Sequence, residues 1–158
     1  MKTTTGYSAA QITIHWLIAL GILFNYIFSD GMGDALDQRL EGAAVTVSVA
    51  PLHVWVGVSV FVLALIRIAL RLIRGAPPAP SGWAGKLAHA GHGLLYLLIL
   101  LMPVAGMVAW FGGQDAAGGP HQLMANLLVI LAAGHALVAL WHQFVLKDGT
   151  LRRMLRPA

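Results

Sequence analysis

Cysteine is absent from this sequence of 158 residues, and charged side chains are scarce. Without cysteine, the chain has no disulfide, no cysteine-ligated iron–sulfur cluster and no thiol nucleophile, so any redox chemistry needs an added cofactor. Charged residues make up 10% of the chain, whereas soluble domains carry roughly 25%. Because 58% of the residues are hydrophobic, the composition is typical of a membrane protein.

Four apolar stretches are each long enough to cross a hydrocarbon core of about 30 Å, which takes roughly 20 helical residues. They cover residues 9–29, 51–74, 85–112 and 120–145. The first stretch is too long for the apolar core of a cleaved signal peptide, and no small-residue cleavage site follows it. Pro103 falls inside the third span, where it is expected to kink the helix. We therefore expect one all-α domain over residues 1–158, folded as a transmembrane four-helix bundle.

Basic and acidic residues are expected to collect at opposite ends of this bundle. The chain termini and the second loop carry nine bases and one acid, a net charge of +8, whereas the first and third loops carry one base and five acids, a net charge of −4. Lys and Arg accumulate in cytoplasmic loops, so both termini are predicted to lie in the cytoplasm. The bases are Lys2, Arg67, Arg71, Arg74, Lys86, Lys147, Arg152, Arg153 and Arg156, against Asp148; the outer loops hold Asp30, Asp34, Asp37, Glu41 and Asp115, against Arg39.

Four histidines lie inside or at the mouths of the apolar spans: His15, His53, His121 and His135. His121 and His135 are fourteen residues apart, so they project from one face of the last span at depths that differ by about 21 Å. The direction of each span places His15 with His135 near the cytoplasm and His53 with His121 near the outer surface. Two imidazoles from different helices can hold one haem iron as axial ligands. The sequence thus predicts two six-coordinate b-type haems that carry electrons.

Two other interpretations of these histidines stay open at this point. Any one of them fits a hydrogen-bonded packing residue, although four in two depth-matched pairs favour ligation. Zinc takes about four tetrahedral ligands at one point, whereas each pair supplies two. A four-helix metal permease that uses histidines as transient ligands is the alternative from another class of protein.

Arginines in the second span support a haem near the cytoplasmic side. Arg67 lies fourteen residues after His53, on the same helix face, and Arg71 follows one turn later. A haem propionate would neutralise both guanidinium groups. Snorkelling to lipid phosphates is the alternative, and it suits Arg74 better than Arg67, because Arg67 shares the face of His53.

Four short stretches point to a known family: residues 11–17 (QITIHWL), 52–57 (LHVWVG), 87–96 (LAHAGHGLLY), and 141–142 (WH) with 147–154 (KDGTLRRM). Through them the chain resembles the bacterial cytochrome b561 family, relatives of the cytochrome b subunits of nickel–iron hydrogenase and formate dehydrogenase. In that family, the first two spans supply one haem ligand each and the fourth supplies two. The resemblance therefore implies His15, His53, His121 and His135 as the ligands here.

The remaining histidines have less defined roles. His142 lies two turns beyond His135 and is placed to hand a proton to a quinone, because histidine titrates near neutral pH. It is equally well explained as an interfacial residue beside Trp141. His89 and His92 lie near the cytoplasmic side of the third span, where they could hydrogen-bond a propionate or a quinone, and they are second-choice ligands.

The resemblance implies a dihaem cytochrome b of the bacterial inner membrane that passes electrons to ubiquinone. Similar family members act as superoxide oxidases, which would make this chain a superoxide:ubiquinone oxidoreductase, whereas the hydrogenase-type relatives take electrons from a partner protein. The short loops favour superoxide, but an outer charge of −4 opposes it, because positive potential steers an anion. Expected partners are membrane lipid, ubiquinone and one of these two donors, with no nucleic acid.

Overall fold

The computed structural model describes residues 6–78 and 81–158, so that Lys2, Ala79 and Pro80 lie outside it. Four of the described helices are long and apolar enough to span a membrane, which confirms the predicted all-α transmembrane bundle. Short turns at Asp115–Ala117 and Leu151–Met154 are 3-10 helical, and His142–Leu146 forms a π-helical turn. The α-helices are α1 (Ala9–Ile27), α2 (Met32–Leu40), α3 (Ala50–Arg74), α4 (Gly82–Trp110) and α5 (Gly118–Trp141).

The ends of the spanning helices lie within a few residues of their predicted positions. Ser8 begins α1 with a capping box, in which its side chain accepts from the backbone N–H of Gln11 and the Gln11 side chain accepts from that of Ser8. Pro51 lies in the first turn of α3, and Gly75 ends that helix with a φ of 87°. Polar caps and helix-breaking residues therefore set these ends, as the sequence suggests.

Helix α2 lies where the sequence predicted only a loop. It is short, contains Gly33 and three acidic or amide side chains, and buries Ala35 and Leu36 against the end of the bundle. A nine-residue helix of this composition is not stable alone. Arg39 attaches it to α4, since its Nε donates to the Trp110 carbonyl over 2.8 Å and its guanidinium lies 5.0 Å from the Trp110 ring.

The spanning helices pack in the order α1, α3, α4 and α5, while α1 and α5 touch only lightly. The interior between α1 and α3 is built on Ile18, Val60 and Ala64. At Gly21 a Cβ would lie 2.6 Å from a Val60 methyl group, so glycine is what allows α1 to approach α3 closely. Packing is therefore tight between neighbouring helices and loose across the bundle.

Many large apolar side chains face outward, as expected for a surface covered by lipid. Leu20, Ile130 and Leu137 are 60%, 68% and 66% exposed. No hydrophobic drive to bury such side chains exists in a bilayer, because lipid tails are as apolar as they are. The outer surface of the bundle therefore agrees with the membrane assignment.

Different segments of the chain cover the two ends of the bundle. At the proximal end, which we define by residues 6–9, the α3–α4 connection and residues 142–158, the Ala158 N–H donates to the Tyr7 carbonyl and the Trp16 Nε1 donates to the Met154 carbonyl. At the distal end, defined by α2 and the α4–α5 connection, α2 covers the helix ends. The two described chain ends therefore lie on the same side of the bundle, because an even number of spans returns the chain to the side from which it started.

Candidate functional site

A cavity of about 660 Å³ lies at the distal end, between the spanning helices and next to α2. His53 from α3 and His121 from α5 line it, with ring centroids 6.1 Å apart and ring planes inclined by 71°. Two imidazoles that bind one metal ion from opposite sides, with nitrogen–metal bonds of about 2 Å, have ring centroids roughly 6 Å apart. The structure thus brings together two histidines that the sequence paired, at a spacing that fits a shared iron.

His121 is held by the turn of α4 that faces it. Its Nδ1 lies 2.8 Å from the backbone carbonyl oxygen of Met102, an arrangement that leaves Nε2 for a metal ion. Gly106, one turn further along α4, provides the space, because a Cβ there would lie 2.9 Å from two atoms of the imidazole. The position of this ring therefore depends on a glycine in a neighbouring helix.

His53 is half-buried, and its ring is less fully satisfied. Its Nδ1 is buried without a hydrogen-bond partner among the described residues, and so is the Oδ1 of Asn25. The Nδ2 of the same Asn25 donates to the backbone carbonyl of His53 over 3.0 Å. Buried polar atoms without partners are rare in folded proteins and often mark functional sites.

The proximal half of the bundle gathers one polar side chain from each spanning helix. These are His15 from α1, Arg67 from α3, His92 from α4 and His135 from α5, and His15 lies within electrostatic range of the other three. The rings of His92 and His135 have centroids 5.1 Å apart. The structure therefore places His15 and His135 in one cluster, as the sequence paired them, and adds His92 beside His135.

The other predicted residues at this end have defined contacts. Arg67 donates from Nη1 to the backbone carbonyl of Gln11 over 2.8 Å, and Arg71 lies with it in a small cleft next to Tyr96. His89 is exposed, and its Nδ1 lies 2.8 Å from a carbonyl of its own helix. Arg71 thus lies beside Arg67 of the proximal cluster, whereas His89 bonds its own helix and is exposed.

His142 is the first residue of the π-helical turn that follows α5. Its Nδ1 lies 2.5 Å from an Asp148 carboxylate oxygen, and the other oxygen accepts from the Thr150 N–H over 2.9 Å. The hydrogen bond with His142 lowers the pKa of the Asp148 carboxyl to about 2. The turn ends at Lys147, which has a left-handed φ of 54° and so lets the chain fold back toward the ring.

Sequence reasoning missed Asn25, Gly106 and Asp148, all of which contact a predicted site residue. Only Asp148 left a signal, since it lies in the family-specific KDGT run, six residues after His142. In the part of the chain that the structure describes, no three His, Asp or Glu side chains form a metal-binding group. The candidate sites are therefore built mainly from histidine pairs, the ligand set of a six-coordinate haem.

Four membrane-spanning helices with histidines facing one another in the interior define a membrane-bound cytochrome of the b type. The chain belongs to the prokaryotic cytochrome b561 family, whose model matches residues 6–157. This confirms the resemblance seen in the short sequence stretches. The protein is thus a multi-pass bacterial membrane haem protein.

Relatives match the chain over nearly its whole length. It is 49% identical to cytochrome b562 of Cereibacter sphaeroides, over 99% of both chains. It is 31% identical to a Yersinia pestis protein named probable superoxide oxidase, over 94% of this chain and 95% of that one. It is 27% identical to cytochrome b561 homolog 1 of Escherichia coli K12, over 94% and 96% of the two chains.

Proposed function

We propose that this protein is a dihaem cytochrome of the bacterial inner membrane that carries electrons from a donor on the outer side to ubiquinone. His53 and His121 would hold a distal haem, and His15 and His135 a proximal one. The observation that carries the proposal is the pair of facing imidazoles, with centroids 6.1 Å apart, at a cavity of about 660 Å³. Haem bound by two imidazoles supplies one-electron transfer and has no free coordination position.

The direction of transport rests on the distribution of charge. In the sequence, the chain termini and the second loop with its flanking helix ends carry a net charge of +8, the first and third loops carry −4, and positive charge marks the cytoplasmic side. Helix α5 runs without interruption from His121 to His135, a rise of about 21 Å. One helix thus carries a ligand at each of the two depths, and electrons would enter at the distal side.

Ubiquinone would bind at the proximal end, where the chain offers a proton donor. The Asp148 carboxylate holds Nδ1–H of His142, which leaves Nε2 as the atom that exchanges a proton with a quinone oxygen. Reduction of a quinone consumes protons as well as electrons, so a titrating group beside the bound quinone is needed. Asp148 is in this scheme a positioning residue for His142.

Superoxide is the donor that we propose, and the likeness to the Yersinia pestis protein named probable superoxide oxidase supports it. An acidic distal surface opposes fast approach of an anion, and Asp37 and Asp115 line the cavity itself. The same acidic surface favours the second candidate, a cytochrome fed by a basic partner protein. A histidine-based metal permease is the third, and a purified protein without a strong haem absorption band would select it.

The donor is tested by mixing purified protein with a pulse of superoxide in the absence of any partner. We expect both haems to be reduced and added ubiquinone to reoxidise them. The rate should rise with ionic strength, because salt screens the repulsion between superoxide and the acidic surface. Superoxide dismutase added before the pulse is the control and should abolish the reduction. If no haem is reduced at any salt concentration, the partner-fed cytochrome becomes the better account.

Arg67 provides a test of the proximal haem. Replacement by leucine should lower the midpoint potential of that haem by on the order of tens of millivolts, because a nearby positive charge favours the reduced form. Arg74→Leu is the matched control, since Arg74 is exposed at the last residue of α3 and should have little effect. The measurement is a redox titration followed by the haem spectrum. Equal shifts in both variants would mean that the effect is a diffuse surface charge.

A further inference from the structure

Two buried polar atoms at the distal site lack hydrogen-bond partners, and they are complementary. The Nδ1 of His53 can donate a proton, and the Oδ1 of Asn25 can only accept one. Leaving either atom unpaired in the interior costs folding free energy. A single hydrogen bond between them would satisfy both.

The carboxamide of Asn25 is already attached to the backbone of His53. Its Nδ2 donates to the His53 carbonyl over 3.0 Å, and both residues line the distal cavity. Gly57, one turn beyond His53, lies against the amide, since a Cβ there would lie 3.4 Å from Nδ2. The side chain of Asn25 is thus fixed between α1 and α3, next to the imidazole.

The two distal histidines differ at Nδ1. That atom in His121 is engaged by the Met102 carbonyl, whereas in His53 it has no hydrogen-bond partner within the part of the chain that the structure describes. A histidine that binds a metal ion nearly always donates its other ring N–H to an oxygen, which fixes the tautomer and makes the ligand more basic. If both rings bind one iron, His53 needs an acceptor of the kind that His121 already has.

We propose that Asn25 is that acceptor and acts as a positioning residue for the distal haem. Its carboxamide oxygen accepts Nδ1–H of His53 when Nε2 binds the iron. The proposal rests on the proposed function in one respect, that His53 is a haem ligand. A more basic axial ligand stabilises ferric over ferrous iron, so this hydrogen bond lowers the midpoint potential of the distal haem.

The test is a redox titration of the purified haem-loaded protein with two variants of opposite expected effect. Asn25→Leu removes the acceptor and should raise the distal midpoint potential, whereas Asn25→Asp keeps an acceptor oxygen, adds negative charge and should lower it. The rise in Asn25→Leu is the deciding result, because an added carboxylate near the haem lowers the potential whether or not it bonds His53. Ser29→Ala is the control, because Ser29 lines the same cavity and its hydroxyl donates to the Tyr26 carbonyl. The midpoint potential of the distal haem should not change in this variant.

A competing acceptor is the carboxyl end of α1, because the His53 ring lies near the backbone carbonyls of Asn25 and Phe28. An unchanged distal potential in Asn25→Leu would mean that one of these carbonyls holds Nδ1–H, and would overturn the proposal. If Asn25→Leu loses the distal haem, the smaller Asn25→Ala is titrated in its place, and an unchanged distal potential there likewise overturns the proposal. The haem content of His53→Ala distinguishes failure of this proposal from failure of the proposed function. A distal haem retained in that variant would mean that His53 is not a haem ligand.

Discussion

If the protein holds two haems as proposed, replacing His53 by alanine should reduce the haem content of the purified protein from two per chain to one. His121→Ala should have the same effect, because the two rings face each other at one cavity and a b-type haem bound by two imidazoles is lost when either is removed. The measurement is a reduced-minus-oxidised spectrum with haem quantified per polypeptide. The haem that is retained should be the proximal one, whose potential responds to Arg67.

The control for this series is His89→Ala. The His89 side chain is exposed and bonds a carbonyl of its own helix, so two haems should be retained. A content of one haem in the unmodified protein, together with an unchanged spectrum in His53→Ala, would remove the distal haem from the proposed function.

The same measurement decides which histidine partners His135. We expect His15→Ala to lose the proximal haem and His92→Ala to retain it. The rings of His92 and His135 have centroids 5.1 Å apart, which is closer than the roughly 6 Å that an iron between two imidazoles requires. If His92→Ala loses the haem and His15→Ala keeps it, His92 replaces His15 as the ligand.

A larger side chain at Gly106 should remove the distal haem without changing any histidine. A Cβ at this position would lie 2.9 Å from the His121 ring, and a displacement large enough to admit a leucine side chain would break the hydrogen bond of the ring to the Met102 carbonyl. Gly106→Leu should therefore leave about one haem per chain. Gly106→Ala should keep two haems but alter the distal potential, since a shift of a few tenths of an ångström relieves the contact.

Gly93→Leu is the matched control for this prediction. Gly93 lies in the same helix, and a Cβ there meets nothing within 4 Å, so the haem content should stay at two. Full haem content with an unchanged distal potential in Gly106→Leu would mean that His121 does not bind haem from the position seen in the structure.

The membrane explains why the four spanning helices could be predicted from the sequence. Apolar stretches of roughly 20 residues must form helices, because the bilayer offers no partner for an unsatisfied backbone group. The four predicted spans and the observed helices consequently agree within a few residues. Helix α2 could not be predicted, since its nine residues are weak helix formers and depend on burying Ala35 and Leu36 against the bundle.

The candidate site likewise has residues that the sequence could pair and residues that it could not. His53 and His121 could be paired from the sequence, because the direction of each span sets the depth of its histidines, and depth alone selects partners. Depth also made His89 and His92 second-choice ligands at the proximal end, but it does not tell how α4 is rotated about its own axis, and that rotation brings the His92 ring beside His135. Asn25 and Gly106 were missed for the same reason, as each acts on a histidine of another helix.

By itself, then, the sequence determined the four spanning helices, the separation of charge between the loops and the shared face of His121 and His135. All of these depend on the composition or the local period of one segment. Only the tertiary structure decided which rings face each other, how closely they approach and which atoms remain without partners. Those properties depend on the rotation and spacing of neighbouring helices, which are set by contacts between distant residues such as Gly21 and Val60.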